Sequence, residues 1–432
     1  MTERISAMKT LLKNVQYLDS DTGKRREGHM VMENEKITGF TQVPISDPDQ
    51  LIDGKGYWVF PGFIDLHVHF REPGGEKKET LESGAEAAVA GGYTTVVCMP
   101  NTAPVLDNRE ILERMIEKAD RLCCNILFMG AITRGLSGHE LVKFSEYDHP
   151  SIVGVTDDGR PVMNARLMKE ALVEGRKHGL IVADHCEEES LMYDRSVNQG
   201  VVSAQLGLTG VPPLAEELMV QRNIYLALIT GCTVHIQHVS TAGSVELIRR
   251  AKSKGIPVTA EATPHHFSLT ESAVLTRGAQ AKMSPPLRTG EDMLSIQQAL
   301  ADGTIDCIAT DHAPHAAEDK TGDLITSANG VIGLETAFGA AVTHLLDSGA
   351  MKLPRLIECL STRPAGILGL TGKGSLKPGS DADVALVDLR RRWTVSQTDL
   401  RSKSSNTPFE GLALRGKVVK TLVNGVVCYQ QL

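Results

Sequence analysis

A chain of 432 residues, 41% hydrophobic and 23% charged, is long enough for one large barrel and a smaller second domain. Its net charge of −8, with no basic block, excludes nucleic acid and anionic membrane surfaces as partners. No apolar stretch approaches membrane-spanning length, residues 1–6 lack the apolar core of a signal peptide, and the eight cysteines are scattered without a Cys-x-x-Cys pair, so reduced thiols in a cytoplasm are expected.

In chain order, residues 9–58 read as short strands with turns, for example 11–18, 29–33 and 36–40. Apolar, β-rich runs follow at 62–69, 94–99, 125–131, 152–156, 180–185, 233–238, 257–262 and 305–310. Between them lie amphipathic helical stretches at 80–90, 109–121, 164–178, 215–229, 244–254 and 293–301, several closed by glycine, as at Gly179, Gly231 and Gly255. Eight successive βα units predict an α/β chain with a (β/α)₈ TIM barrel over residues 59–373. A doubly wound open sheet would have fewer parallel strands and an early glycine-rich phosphate loop, and none is evident. The tail from 374 returns to short strands at 383–388, 417–424 and 426–429. Residues 1–58 and 374–432 are therefore expected to pair as one small, β-sandwich-like domain.

The first barrel run ends in His67-Val68-His69. Side chains two apart in a strand share a face, so two imidazoles can grip one metal ion from one side. Barrel active sites sit at the C-terminal strand ends, and polar residues collect there in successive units: Arg71, Asn101, Asp157-Asp158, His185-Cys186-Glu187, His238, His265-His266 and Asp311-His312 with His315. Four histidines (His67, His69, His185, His238) and two carboxylates (Asp158, Asp311) make a ligand set for two divalent ions. Imidazole with carboxylate suits zinc, and Asp158 is placed to bridge the pair. Water bound to such an ion is acidified to a pKa of roughly 7, which supplies a hydroxide nucleophile without serine or cysteine.

These motifs resemble the amidohydrolase superfamily, and within it the bacterial dihydroorotases whose metals are bridged by aspartate. The likeness covers almost the whole chain. It rests on the run from Asp65 to Gly74, Lys78-Glu79-Thr80, Met99-Pro100-Asn101-Thr102, Thr156-Asp157-Asp158-Gly159, His185-Cys186-Glu187, Thr310-Asp311-His312-Ala313-Pro314-His315 and the tail Gly379-Ser380-Asp381-Ala382-Asp383. The resemblance implies that His67 and His69 hold one zinc ion, His185 and His238 the other, and that Asp158 bridges them. Asp311 would ligate the first ion and shuttle the proton as the catalytic residue. Arg71 and Asn101 would bind the substrate carboxylate, with His315 close by. The chain departs from the family at Ser284, where Asn is usual before Pro-Pro-Leu-Arg, and at Ala328-Asn329-Gly330, where Pro-Phe-Gly is usual. Both changes touch the substrate pocket, so Ser284, Asn329 and Gly330 join the candidate substrate residues, and neither touches the metals.

Other polar residues have plainer readings. Asp157 is expected to be a turn or capping group, since neighbours in a strand face opposite ways. His265 and His266 are read as structural or as supports for ligands, His312 as pointing away from the metals, and Arg288 as structural. Lys282 could suggest a carboxylated bridging lysine, but it belongs to another loop. The resemblance thus implies reversible interconversion of N-carbamoyl-L-aspartate and L-dihydroorotate in pyrimidine biosynthesis, with a bridging hydroxide as nucleophile. A homodimer, and association with aspartate transcarbamoylase, are expected with it. Two alternatives stand: a hydantoinase, dihydropyrimidinase or allantoinase on the same metals, and a dihydroorotase-like scaffold subunit for aspartate transcarbamoylase. Against the first stands the Arg71–Asn101 pair, and against the second stands the full ligand set.

Overall fold

The computed structural model describes residues 8–431, so the reading of residues 1–6 lies outside it. Eight parallel strands form the catalytic sheet: β6 (Phe63–Val68), β7 (Tyr93–Cys98), β8 (Asn125–Gly130), β9 (Ile152–Val155), β10 (Ile181–Asp184), β11 (Val234–Ile236), β12 (Val258–Ala262) and β13 (Cys307–Ile308). The intervening stretches are largely helical. Each strand pairs with the next in sequence. A bridge between Val68 and His312, with His69 N–H donating to His312 O at 2.9 Å, joins the last strand to the first and closes the barrel.

Every residue of β6 and β7 is buried. A strand walled by helices outside and side chains inside must be apolar on both faces, which is why these segments read as continuous runs. Ile64, Leu66, Val97, Met99, Met129 and Ala183 share one core inside the barrel, while Val68 and Phe70 join the larger core under the helices. The register of β6 against β7 slips between Asp65 and Val68. That irregularity lets His67 follow Leu66 into the interior instead of alternating outward.

The helices start where capping residues permit. Thr80 accepts from Ser83 N–H ahead of Leu81–Ala90, and Asn164 does the same for Arg166 and Leu167 ahead of Ala165–His178. Gly179, at φ 70°, ends the latter helix in the left-handed conformation that glycine adopts without a Cβ penalty.

The remaining strands make a second, mixed sheet. The N-terminal part supplies β1 (Lys9–Leu18), β2 (Arg25–Glu33), β3 (Lys36–Thr41), β4 (Gln50–Asp53) and β5 (Trp58–Pro61), and the C-terminal part supplies β14 (Val384–Thr394), β15 (Ala413–Val423) and β16 (Val426–Gln430). The two parts meet where β5 pairs antiparallel with β14, Phe60 opposite Ala385. Leu12, Val15, Met30, Met32, Val384 and Leu422 fill this sheet's own core.

Candidate metal and active centre

The polar residues expected at the strand ends do converge. His67 is the penultimate residue of β6 and His69 directly follows the strand. Asp158 lies just past β9, His185 directly follows β10, His238 lies just past β11, and Asp311 lies past β13. Three of the rim residues are held at positive φ: Arg71 at 61°, His238 at 32° and Asp311 at 47°. Such backbone persists only where the surroundings over-determine it, and it is characteristic of working sites.

Two overlapping groups of ligand-type atoms lie within 4.8 Å of one another: His67, Asp158 and His238, and His67, His69 and Asp311. Asp158 sits at their centre. Its Oδ1 lies 3.4 Å from His67 Nε2, 3.5 Å from His185 Nδ1 and 3.7 Å from His238 Nε2, and its Oδ2 lies 3.4 Å from His69 Nε2. Asp311 Oδ1 is 3.0 Å from His69 Nε2 and 3.5 Å from His67 Nε2. His185 Nδ1 is 2.8 Å from His238 Nε2.

The electrostatics call for positive charge here. Burial would raise the Asp158 carboxyl, but His67, His185 and His238 outweigh it and hold it well below the usual carboxylate range. Asp311 is likewise held below that range, burial being overcome by His67 and His69. Burial would lower His185, yet Asp158 and Glu187 lift it to about 10. His67 Nε2 and Asp158 Oδ1 are buried without a hydrogen-bond partner. Orphaned imidazole nitrogen and carboxylate oxygen, facing each other at 3.4 Å, fit divalent cations bound between them.

Partners behind the candidate ligands fix their rings. His67 Nδ1 is 2.8 Å from Glu261 Oε1, His69 Nδ1 is 2.9 Å from Asn101 Oδ1, and His185 Nε2 is 2.8 Å from Glu187 Oε2. In each case the other ring nitrogen faces the carboxylate cluster, as a metal-binding tautomer requires. Asp65 pins the end of β6 by accepting from His67 N–H, Thr310 N–H and the Thr310 hydroxyl, and burial pushes its carboxyl up to about 7.

All the candidate residues except His67 and His315 line one cavity of about 140 Å³ above this cluster. Arg71 donates through Nε to Pro314 O at 3.1 Å and lies 3.5 Å from His315. Asn101 Nδ2 reaches Asp158 O and Oδ2 at 3.3 Å, so Asn101 sits between a ligand pair and the cavity. His315 Nε2 donates to Asn329 O at 2.7 Å, and its Nδ1 is 3.4 Å from Lys78 Nζ. Burial, then Arg71 and Lys78, push His315 down to about 3. Asn329 Oδ1 has no partner. A Cβ on Gly330, which sits at φ 126°, would lie 2.7 Å from Ala313 Cβ, so the loop passes here only as glycine. Ser284 donates to Glu187 Oε2 at 2.6 Å, which places it beside the His185 support.

The plainer readings also find their places. Asp157 turns away and accepts from Ile132 and Thr133 N–H at 2.8 and 2.9 Å. His312 points at Glu79, 3.3 Å away. His266 is held by Thr263 and Pro285 O, and burial pushes its neighbour His265 down to about 4. Arg288 ties Ser240, Asn198 and Val211 together, and Lys282 donates to Ile325 O and Ser327 O, far from any bridging role. Sequence reasoning missed Glu261, Gln237 (Nε2 3.3 Å from His67 Nδ1) and Arg195 at the cavity lip. A charged glutamate inside the otherwise uncharged β12 was the one signal available for Glu261.

The amidohydrolase family model matches residues 58–428. The chain is 42% identical to a dihydroorotase of Syntrophus aciditrophicus over 427 residues, 98% of this chain and all of that one. It is 44% identical to a dihydroorotase of Thermoanaerobacter sp. over 382 residues, 88% of each chain. Among solved structures it is similar to the L-hydantoinase (dihydropyrimidinase) of Arthrobacter aurescens, with a TM-score of 0.88 and 27% identity over 98% of this chain and 96% of that one. The dihydropyrimidinase of Brevibacillus agri, at 22% identity and a TM-score of 0.85, covering 98% of this chain and 95% of that one, shares the fold. From the strand-end ligand cluster and these matches together, the chain belongs to the amidohydrolase family, among its dihydroorotases.

Proposed function

We propose that this chain interconverts N-carbamoyl-L-aspartate and L-dihydroorotate, as a metal-dependent cyclic amidohydrolase of pyrimidine biosynthesis. The observation that carries the substrate is Arg71, whose guanidinium lines the same small cavity as Asp158 and Asp311. A planar fork beside a carboxylate cluster matches a ring that bears one carboxylate and one scissile amide. Zinc, two ions per chain, is the metal proposed, with His67, His69 and Asp311 toward one ion, His185 and His238 toward the other, and Asp158 between. Held there, the ions would acidify water and polarise the amide carbonyl.

The residues of the chain do the rest. Arg71 and Asn101 hold the substrate carboxylate and so fix the ring carbonyl over the cluster. In hydrolysis, water adds to that carbonyl carbon, and Asp311, ionised beforehand, takes the water proton. Asp311 then delivers it to the ring nitrogen as the carbon–nitrogen bond breaks, leaving the ureido group and a carboxylic acid that ionises by releasing the second water proton to solvent. Ring closure runs the same transfers in reverse. His315, kept neutral between Arg71 and Lys78, holds the Asn329 loop at the cavity edge.

A second reading keeps the metals and changes the ring. Ser284 in place of Asn, and the likeness to the Arthrobacter hydantoinase, support a neutral cyclic amide such as a hydantoin. The test is ring closure of N-carbamoyl-L-aspartate by protein with and without chelator treatment. Activity lost on chelation and restored by zinc supports the proposal, and no ring closure by metal-replete protein refutes it.

A homodimer belongs to the same proposal. Leu214, Leu218, Tyr225, Leu228 and Ile229 stand exposed on the helix Pro213–Thr230, an apolar stripe that supports pairing with a second copy. Sedimentation of the protein, alone and with aspartate transcarbamoylase, tests both associations. Among the described residues no helix is long and apolar enough to cross a membrane, and the eight free cysteines support a cytoplasmic setting.

A further inference from the structure

A chain of hydrogen bonds runs through the barrel interior to the metal cluster. Thr259 Oγ1 is 2.9 Å from His235 Nδ1, His235 Nε2 is 3.1 Å from Glu261 Oε2, and Glu261 Oε1 is 2.8 Å from His67 Nδ1. Glu261 Oε1 also accepts from the backbone N–H of His238 at 3.3 Å. Glu261 is fully buried, and His235 is 1% exposed. Thr259 lies on the wall of a separate cleft of about 880 Å³ at the opposite end of the barrel, among Arg176, Leu180, Thr233 and Asp306.

The donor and acceptor roles follow from the groups. A carboxylate only accepts, so both rings must present N–H to Glu261. His235 therefore donates from Nε2 and accepts the Thr259 hydroxyl at Nδ1. His67 donates from Nδ1, which leaves the Nε2 lone pair facing Asp158 and Asp311. A buried carboxylate with no other role would be costly to keep. Here its two oxygens are spent on one ring that enters the cluster and one ring that does not. The first oxygen also touches the strand end that carries His238, a ligand proposed for the second ion.

We infer that Glu261 is a positioning residue for the metal centre: it fixes the tautomer and direction of His67 and couples the strand ends that carry His67 and His238. It touches neither substrate nor reacting atoms. His235 and Thr259 hold Glu261 in turn, so the effect of removing them falls with distance from the cluster. The inference rests on the metal-site reading above and goes one layer beyond its ligands.

The experiment is competition for zinc between a chelator and the purified full-length protein, run for the native chain, Glu261→Gln and Thr259→Val, alongside absorption spectra of the cobalt(II)-loaded forms. Glutamine keeps the shape but presents an amide that can satisfy only one of the two rings. Zinc affinity is expected to fall about 10–100-fold in Glu261→Gln, with a shifted cobalt spectrum, and by less in Thr259→Val. Native affinity and an unchanged spectrum in a folded Glu261→Gln overturn the inference. If that variant does not fold, His235→Asn carries the test, since Glu261 then loses its other partner, and unweakened zinc binding there overturns it equally. A native chain that binds no zinc refutes the metal-site reading instead, so the two failures are distinct.

Discussion

Asp157 and Asp158 are adjacent in the chain and face opposite sides of the barrel wall. Asp157 accepts from the backbone of Ile132 and Thr133 and from the Thr133 hydroxyl, holding the loop after β8. Asp158 lies within 3.7 Å of nitrogens from four histidines. Their replacement by alanine should therefore separate two properties. Asp158→Ala should lose bound metal with modest change in the stability of the metal-free protein. Asp157→Ala leaves two buried N–H groups unsatisfied, which costs about 1–3 kcal/mol each, while metal content stays near native. Elemental analysis with denaturant melts checks both, and the greater metal loss in Asp157→Ala would reverse the assignment.

Asp311→Asn should cut turnover by at least about 10²-fold while part of the metal stays bound. The amide can still offer an oxygen to a cation, but it cannot take up a proton. Single-turnover kinetics on variant protein of measured metal content provides the check. Near-native turnover in a loaded variant removes Asp311 as the shuttle.

His315 supplies a pH signature. Burial, Arg71 and Lys78 lower it to about 3, and Asp319, 3.8 Å away, does not reverse this. In the unfolded chain the imidazole titrates near 6.5. Between those values the unfolded state binds the extra proton, so stability rises with pH. The contribution is present above about 6.5 and lost as pH falls toward 3, by up to about 1.4 kcal/mol per pH unit. Many groups titrate in this window, so the readout is the difference between native protein and His315→Asn. The native curve should be the steeper, and parallel curves contradict a neutral, buried His315.

Much of this architecture is legible in the sequence, for physical reasons. Barrel strands buried on both faces read as uninterrupted apolar runs, and β6 to β12 lie within two residues of where those runs predict. The last run, 305–310, contracts to Cys307–Ile308 as a strand, with Asp306 and Ala309 N–H on either side still donating to Ala260 O and Ala262 O of β12. Gln50–Asp53 was not legible: it is four residues long, mostly unburied, and pairs with β1 only through the fold. The helix Leu334–Ala341 was missed because it is buried nearly all round, which erases the polar face that periodicity needs. In the candidate site, ligand-type residues stand out by type and by position at strand ends. Their supports do not. Glu261 is one carboxylate in a strand, and only the closed barrel shows that it faces His67 across the interior.

Arg71→Lys should impair dihydroorotate turnover although the charge is kept. Ammonium cannot make the paired contacts of a planar fork, and Arg71 already spends Nε on Pro314 O, which lysine would release. The expected signature is a raised KM for dihydroorotate, with little change for rings that lack a carboxylate. Equal loss on both kinds of ring would make Arg71 a structural residue instead.

A metal centre turned on a carboxylate-bearing ring is tested most directly by substrate preference. The specificity constant of zinc-loaded protein for L-dihydroorotate is measured beside those for dihydrouracil, hydantoin and allantoin. A neutral ring leaves the Arg71 guanidinium without its partner in a small cavity, so dihydroorotate should exceed each of the other three, by at least about tenfold for one lost charge-assisted contact. A neutral ring turned over as well as dihydroorotate, or better, contradicts the substrate assignment and leaves a cyclic amidohydrolase of the hydantoinase kind.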